Sequence, residues 1–110
     1  MAIWFKKENP KYGCFSNFYP SPVELDGHIY PTSEHYYQAM KAATQEEHDY
    51  IADAPTPHEA RQRGRECQLR EGWEEMKDNV MMVVVSTKFT QHSNLAEILL
   101  STGNEELIEW

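Results

Sequence analysis

A chain of 110 residues with 40% hydrophobic and 12% aromatic side chains can bury one core and not two, which excludes both a disordered chain and a two-domain one. Its net charge of −8 excludes a protein that holds a nucleic-acid backbone by general electrostatics, although a local basic pocket remains compatible with it. No apolar run approaches the roughly 20 residues a bilayer-spanning helix needs, and the start Met1-Ala2-Ile3-Trp4-Phe5-Lys6 lacks the apolar core of a signal peptide, so the expected location is the cytoplasm.

Ile3-Trp4-Phe5 reads as a short strand, and Lys6 to Tyr12, interrupted by Pro10, as a polar loop. Gly13-Cys14-Phe15-Ser16-Asn17-Phe18-Tyr19-Pro20 alternates aromatic with small polar residues and reads as a loop pinned by aromatic anchors. In Val23 to Tyr30 the Asp26-Gly27 pair, whose members both tolerate positive φ, predicts a tight hairpin between two short strands. Pro31 ends the second strand, and Thr32 or Ser33 can cap a helix that follows.

A second helix is expected over Gln45 to Ala52 with Thr44 as its cap. A third runs from His58 to about Gln68, with Thr56 as cap and Pro57 at the first helical position. It carries Arg61, Arg63 and Arg65; most such arginines simply face solvent, yet this is the chain's only basic cluster and one of them is a candidate for an anionic ligand. Glu71-Gly72-Trp73 opens a further helical region that continues from Met76 to about Gln91. The run Val80-Met81-Met82-Val83-Val84-Val85 has strand propensity, but the helical period on both flanks favours a buried helix. Ser93 or Asn94 is expected to cap Leu95 to Leu100, Thr102-Gly103-Asn104 to stop it, and Leu107 to Trp110 to begin a strand. The fold class that follows is α+β: a mainly helical single domain over residues 1–110 with a small antiparallel sheet.

In the first helix Glu34, Gln38 and Lys41 stand at i, i+4 and i+7, which puts a carboxylate, an amide and an amine on one stripe. Each has an ordinary reading: Glu34 favoured by the helix dipole at the first turn, Lys41 facing solvent. The chemical reading makes Glu34 an acid/base and Lys41 a nucleophile, if burial or neighbouring cations lower the amine's pKa. Phe15, Phe18, Tyr19, Tyr36, Tyr37 and Trp73 are most simply core, and equally suited to stacking on a heterocycle. Ser16 and Asn17 either stabilise a turn or bind a polar ligand. Cys14 and Cys67 lack metal spacing and are expected as reduced thiols; the five histidines, at 28, 35, 48, 58 and 92, show no ligand pattern, so neither metal nor cofactor is expected.

The run Gly13 to Pro20, then Leu25-Asp26-Gly27, then Tyr30 to Ala39 with Lys41-Ala42, resembles the NADAR (YbiA-like) family. Later echoes are Glu59-Ala60, Gly64-Arg65, Trp73, Lys88-Phe89 and Leu99 to Gly103. The resemblance implies an N-glycosidase that hydrolyses the C1–N bond of a phosphorylated N-riboside, either an early riboflavin-biosynthesis intermediate or ADP-ribosylated guanine. It implies that Lys41 forms a Schiff base with C1 while Glu34 shuttles protons. Gln38 would orient the sugar, Trp73 with Phe18 or Tyr37 would stack on the base, Asn17 would hold a polar edge, and Arg65 would meet phosphate. It further implies a family segment beyond position 110, with an acidic residue, a Trp-Gly pair and a Gly-Asn-x-Leu-Gly motif, so a shortened domain is expected, served by a homo-oligomer or a complementing chain. The alternative is a non-catalytic module that binds ADP-ribose or a related nucleotide.

Overall fold

In the structure, a computed structural model, residues 2–5, 9–103 and 106–109 are described, with side chains over 9–103. Lys6 to Glu8 of the expected loop, Asn104 of the expected stop and Trp110 of the last strand lie outside these residues. Strand β1 (Ala2–Phe5) pairs with β4 (Glu106–Glu109), and β2 (Val23–Leu25) with β3 (His28–Tyr30). Between hairpin and last strand run α1 (Ser33–Met40), α2 (Gln45–Ala52), α3 (Pro57–Glu66), α4 (Trp73–Gln91) and α5 (Ser93–Ser101). The expected α+β, mainly helical fold is the one observed.

Local chemistry accounts for most element boundaries. Asp26 and Gly27 both take positive φ, 54° and 77°, and bring β2 and β3 together antiparallel with Val23 opposite Tyr30. Thr32, and not Ser33, caps α1: its backbone is extended and its Oγ1 accepts from the His35 N–H at 3.1 Å. Thr44 and Thr56 do the same for the N–H groups of Glu47 and Glu59.

The expected sheet is present, and three other expectations are corrected. The expected small antiparallel sheet is the β2–β3 hairpin, and β1 and β4 form a separate parallel pair, because the helical body connects them and no tight turn dictates their direction. Helix α3 stops at Glu66 rather than near Gln68, because residues 68–70 pair with the chain after α1: Ala43 N–H donates to Gln68 O at 2.9 Å and Arg70 N–H to Lys41 O at 2.8 Å. Helix α4 includes the valine run, yet only one stripe of the helix, Trp73, Val80, Val84 and Lys88, is buried, while Met82 is 67% exposed. Helix α5 starts at Ser93 with neither Ser93 nor Asn94 as its cap. His92 holds both the C-cap of α4 and the N-cap of α5 with no side-chain cap bond, and its carbonyl accepts from Leu95 and Ala96.

Helix α1 is the hub and packs on α2, α3 and α4. Its Ala39, with Ala42 after it, shares one buried core with Ala52, Ala54 and Ala60 and with Val23, Tyr30, Tyr36, Ile51, Trp73, Val80 and Val84. Small residues at these crossings let helix backbones approach closely, which places polar side chains of α1 directly against α3. Among the described residues no helix is long and apolar enough to cross a membrane.

Candidate active site

The crossing of α1 and α3 buries a polar cluster. Glu34 is 4% exposed, and its Oε2 accepts from Gln38 Nε2 at 2.6 Å and from Arg61 Nε at 3.5 Å. The carboxylate is therefore engaged by side chains, while capping of α1 falls to Thr32. The Glu34 backbone N–H donates to Asn17 O at 3.1 Å, so the helix start is tied to the aromatic loop. Gln38 is equally buried, and its Oε1 has no hydrogen-bond partner among the described residues. Gly64 explains how Gln38 fits: a Cβ there would collide with Gln38 Oε1 and stand 3.0 Å from its Cδ.

Arg61 is shared between the carboxylate and an aromatic ring. Its guanidinium carbon lies 4.3 Å from the Phe18 centroid, a cation–π contact, and the Phe18 ring meets His58 edge-on at 4.8 Å. Lys41 occupies the C-cap of α1, half-buried, with Nζ 5.6 Å from the Tyr37 centroid. Burial pushes its ammonium below the ordinary lysine range; Glu34 and Cys67 oppose that shift, and Arg65 and Arg61 reinforce it. Glu34 and Lys41 thus sense each other's charge across one end of the cluster.

The other expected site residues are distributed as follows. Asn17 spans two helices, its carbonyl on Glu34 and its Nδ2 donating to Met81 Sδ at 3.4 Å. Tyr37 is half-buried and packs edge-on against Trp73 at 5.3 Å, while Trp73 is 5% exposed and belongs to the core. Arg65 is exposed, its charge reaching Lys41. The arginine in contact with Glu34 is Arg61, which the charge cluster alone did not separate from its neighbours; Ala60 and Gly64, one turn apart, are the signal that this face of α3 approaches another helix.

Two clefts flank α1. One of about 400 Å³ is bordered by Phe18, Thr32, His35 and four prolines, and the other, about 450 Å³, lies between the hairpin and α2 with none of Glu34, Gln38 or Lys41 in its lining. His35, beneath the first, is 1% exposed and fully committed: Nε2–H donates to Ala54 O at 2.9 Å, and Nδ1 accepts from the Thr32 hydroxyl at 2.8 Å. Among the described residues no three His, Cys, Asp or Glu side chains converge on a point that could hold a metal ion.

Residues 3–110 match the NADAR domain. The chain belongs to the NADAR domain family. This NADAR domain is similar to N-glycosidase Npun_R5314 of Nostoc punctiforme, 41% identical over 115 residues that cover 99% of the chain and 73% of the relative. It is similar to N-glycosidase YbiA of Escherichia coli, 38% identical over 109 residues that cover 97% of the chain and 68% of the relative. The NMR structure of E. coli YbiA superposes with a TM-score of 0.88, covering 99% of this chain and 66% of that one. A third relative, riboflavin biosynthesis protein VVA0006 of Vibrio vulnificus, is 36% identical over 109 residues that cover 97% of the chain and 30% of its own length. The NADAR domain thus spans about two thirds of YbiA.

Proposed function

We propose that this NADAR domain is an N-glycosidase that hydrolyses the C1–N bond of a phosphorylated N-riboside. The observation that carries the reading is a buried carboxylate, Glu34, held by Gln38 and Arg61 within electrostatic reach of a half-buried amine, Lys41, in a family whose relatives are named N-glycosidases. Glu34 takes a proton from the Lys41 ammonium and passes it to the ring oxygen as the C1–O bond breaks and the lone pair of the base nitrogen forms a C1=N bond. The free Lys41 amine then adds to C1, and the base nitrogen leaves with a proton, which produces a Schiff base between C1 and Nζ. Water hydrolyses that bond, returning the amine and releasing the ribose aldehyde.

Gln38, fixed between Glu34 and Gly64, orients the sugar; Phe18 and Tyr37 provide ring surfaces for the base, with Trp73 packed behind Tyr37. Asn17 supplies a polar edge, and Arg65 meets the phosphate alongside Arg61. Two substrates share this chemistry, an early riboflavin-pathway N-riboside and ADP-ribosylated guanine, and the riboflavin-biosynthesis name of the Vibrio relative speaks for the first. The test is a side-by-side assay of both with borohydride added during turnover. Base release with a ribosyl adduct on Lys41, and no release by Glu34→Gln, is the expected outcome. Base release without any adduct would remove the Schiff base, and ligand-induced thermal stabilisation without base release would make the domain a nucleotide-binding module.

A further inference from the structure

We propose that Lys88 of α4 is a positioning residue for the Glu34 cluster, its ammonium fixing the turn that presents Asn17 and Phe18 to α1. The inference rests on the reading of that cluster as the active site. Lys88 is 1% exposed and among the largest fully buried side chains. Its Nζ donates to Ser16 O at 2.9 Å, across 72 residues of sequence, and the same oxygen accepts from the Tyr19 N–H at 3.1 Å. One carbonyl therefore closes the turn and ties it to α4. The Ser16 hydroxyl accepts from the Phe18 N–H at 3.1 Å, which sets the backbone of the residue that stacks under Arg61.

The next carbonyl is tied in the other direction. Asn17 O accepts from Glu34 N–H in α1, and Asn17 Nδ2 reaches Met81, which lies two turns before Lys88 on the same face of α4. Successive peptide groups are thus clamped between two helices, and the path closes on itself: Lys88 to Ser16, Phe18 to Arg61, Arg61 to Glu34, Glu34 back to Asn17. Burying an ammonium group is costly, and a methionine of similar length would fill the space without that desolvation. The faces of Tyr19 and Phe89, 5.8 and 5.6 Å from Nζ, offset part of it. What an apolar side chain cannot supply is a donor that selects one orientation of the Ser16 peptide, and with it the placement of Phe18, Arg61 and Glu34.

The experiment compares the wild type with Lys88→Met by residue-resolved amide hydrogen exchange, thermal melting and turnover of an N-riboside. The expected result is a cooperative melting transition retained, exchange of the Tyr19 and Glu34 amides accelerated about tenfold or more with the Ile51 and Val84 amides unchanged, and kcat reduced about tenfold or more with KM little altered. Unchanged exchange at Tyr19 and Glu34 in the folded variant would overturn the proposal. If Lys88→Met does not fold, native-state exchange of the wild type decides: Tyr19 and Glu34 amides open as one unit if a single clamp holds both, and independent openings overturn it. A wild type without turnover would remove the N-glycosidase reading, whereas the exchange data would still judge the clamp.

Discussion

Replacing Gly64 by alanine tests whether the α1–α3 crossing is as close as its geometry states. In an ordinary helix interior the change stabilises, by roughly 0.5–1 kcal/mol, because glycine loses more backbone freedom on folding. Here the new methyl collides with Gln38 Oε1 and sits 3.0 Å from Cδ and 3.2 Å from Cβ of the same side chain. The amide head could swing aside, but Cβ is fixed to the backbone of α1, so the helices must also separate. Overpacking of this kind costs about 1–3 kcal/mol, and displacing the amide from Glu34 removes a bond to a charged group worth about 1.5–3 kcal/mol. The collision wins, and a net loss of roughly 1.5–5 kcal/mol is expected, which at roughly 4 °C per kcal/mol is a drop of about 6–20 °C in Tm. Urea titration and thermal melting check it, with the exposed Gln62→Ala on the same helix as control. A Gly64→Ala protein more stable than wild type by the propensity value would refute the close approach, and with it the account of how Gln38 is held.

Three further predictions concern other side chains of the fold and the site. Burial lowers the His35 pKa, so below the ordinary value of 6.5 the unfolded chain binds a proton that the folded chain refuses. Stability is therefore full above that value and falls as pH drops from 6.5 toward the depressed folded pKa; melting curves across this window should show the fall, and His35→Gln should flatten it. Thr32→Val removes both the cap of α1 and the hydroxyl that His35 Nδ1 uses, and should cost about 1 kcal/mol or somewhat more by urea titration. If Lys41 reacts as a free amine, kcat/KM should rise with pH through a pKa below the ordinary lysine range, and Arg65→Gln should move that rise to higher pH by removing a cation that lowers it; a profile flat on the alkaline side would count against the amine.

What could be read from sequence was whatever a few neighbouring residues decide together. Thr44, Thr56 with Pro57, and Asp26-Gly27 each act within four residues, so their helices and turn were legible. The stripe of Glu34, Gln38 and Lys41 was legible as a register, because α-helical geometry needs no partner to define it. The partners themselves were not: Arg61 stands 27 residues from Glu34, and the small residues Ala60 and Gly64 beside it mark a close helix approach without naming the helix that approaches. The burial of Lys88 was illegible for a related reason, since lysine is almost never fully buried and only the packing of the aromatic loop reverses that expectation. The end of α3 was misplaced because pairing with residues 41–43, across the fold, outcompetes the last helical turn.

The parallel pairing of β1 with β4 has a consequence in time. Ala2 faces Glu106, so β1 cannot find its partner until the hairpin and the helices between them have been made. Closing a loop of that length is entropically costly unless intervening structure has already brought the ends together. The hairpin and the five helices, whose contacts are mostly between sequence neighbours, can do so first. Strands β1 and β4 then join last, and until they do, β1 presents an unpaired edge that any extended segment could occupy.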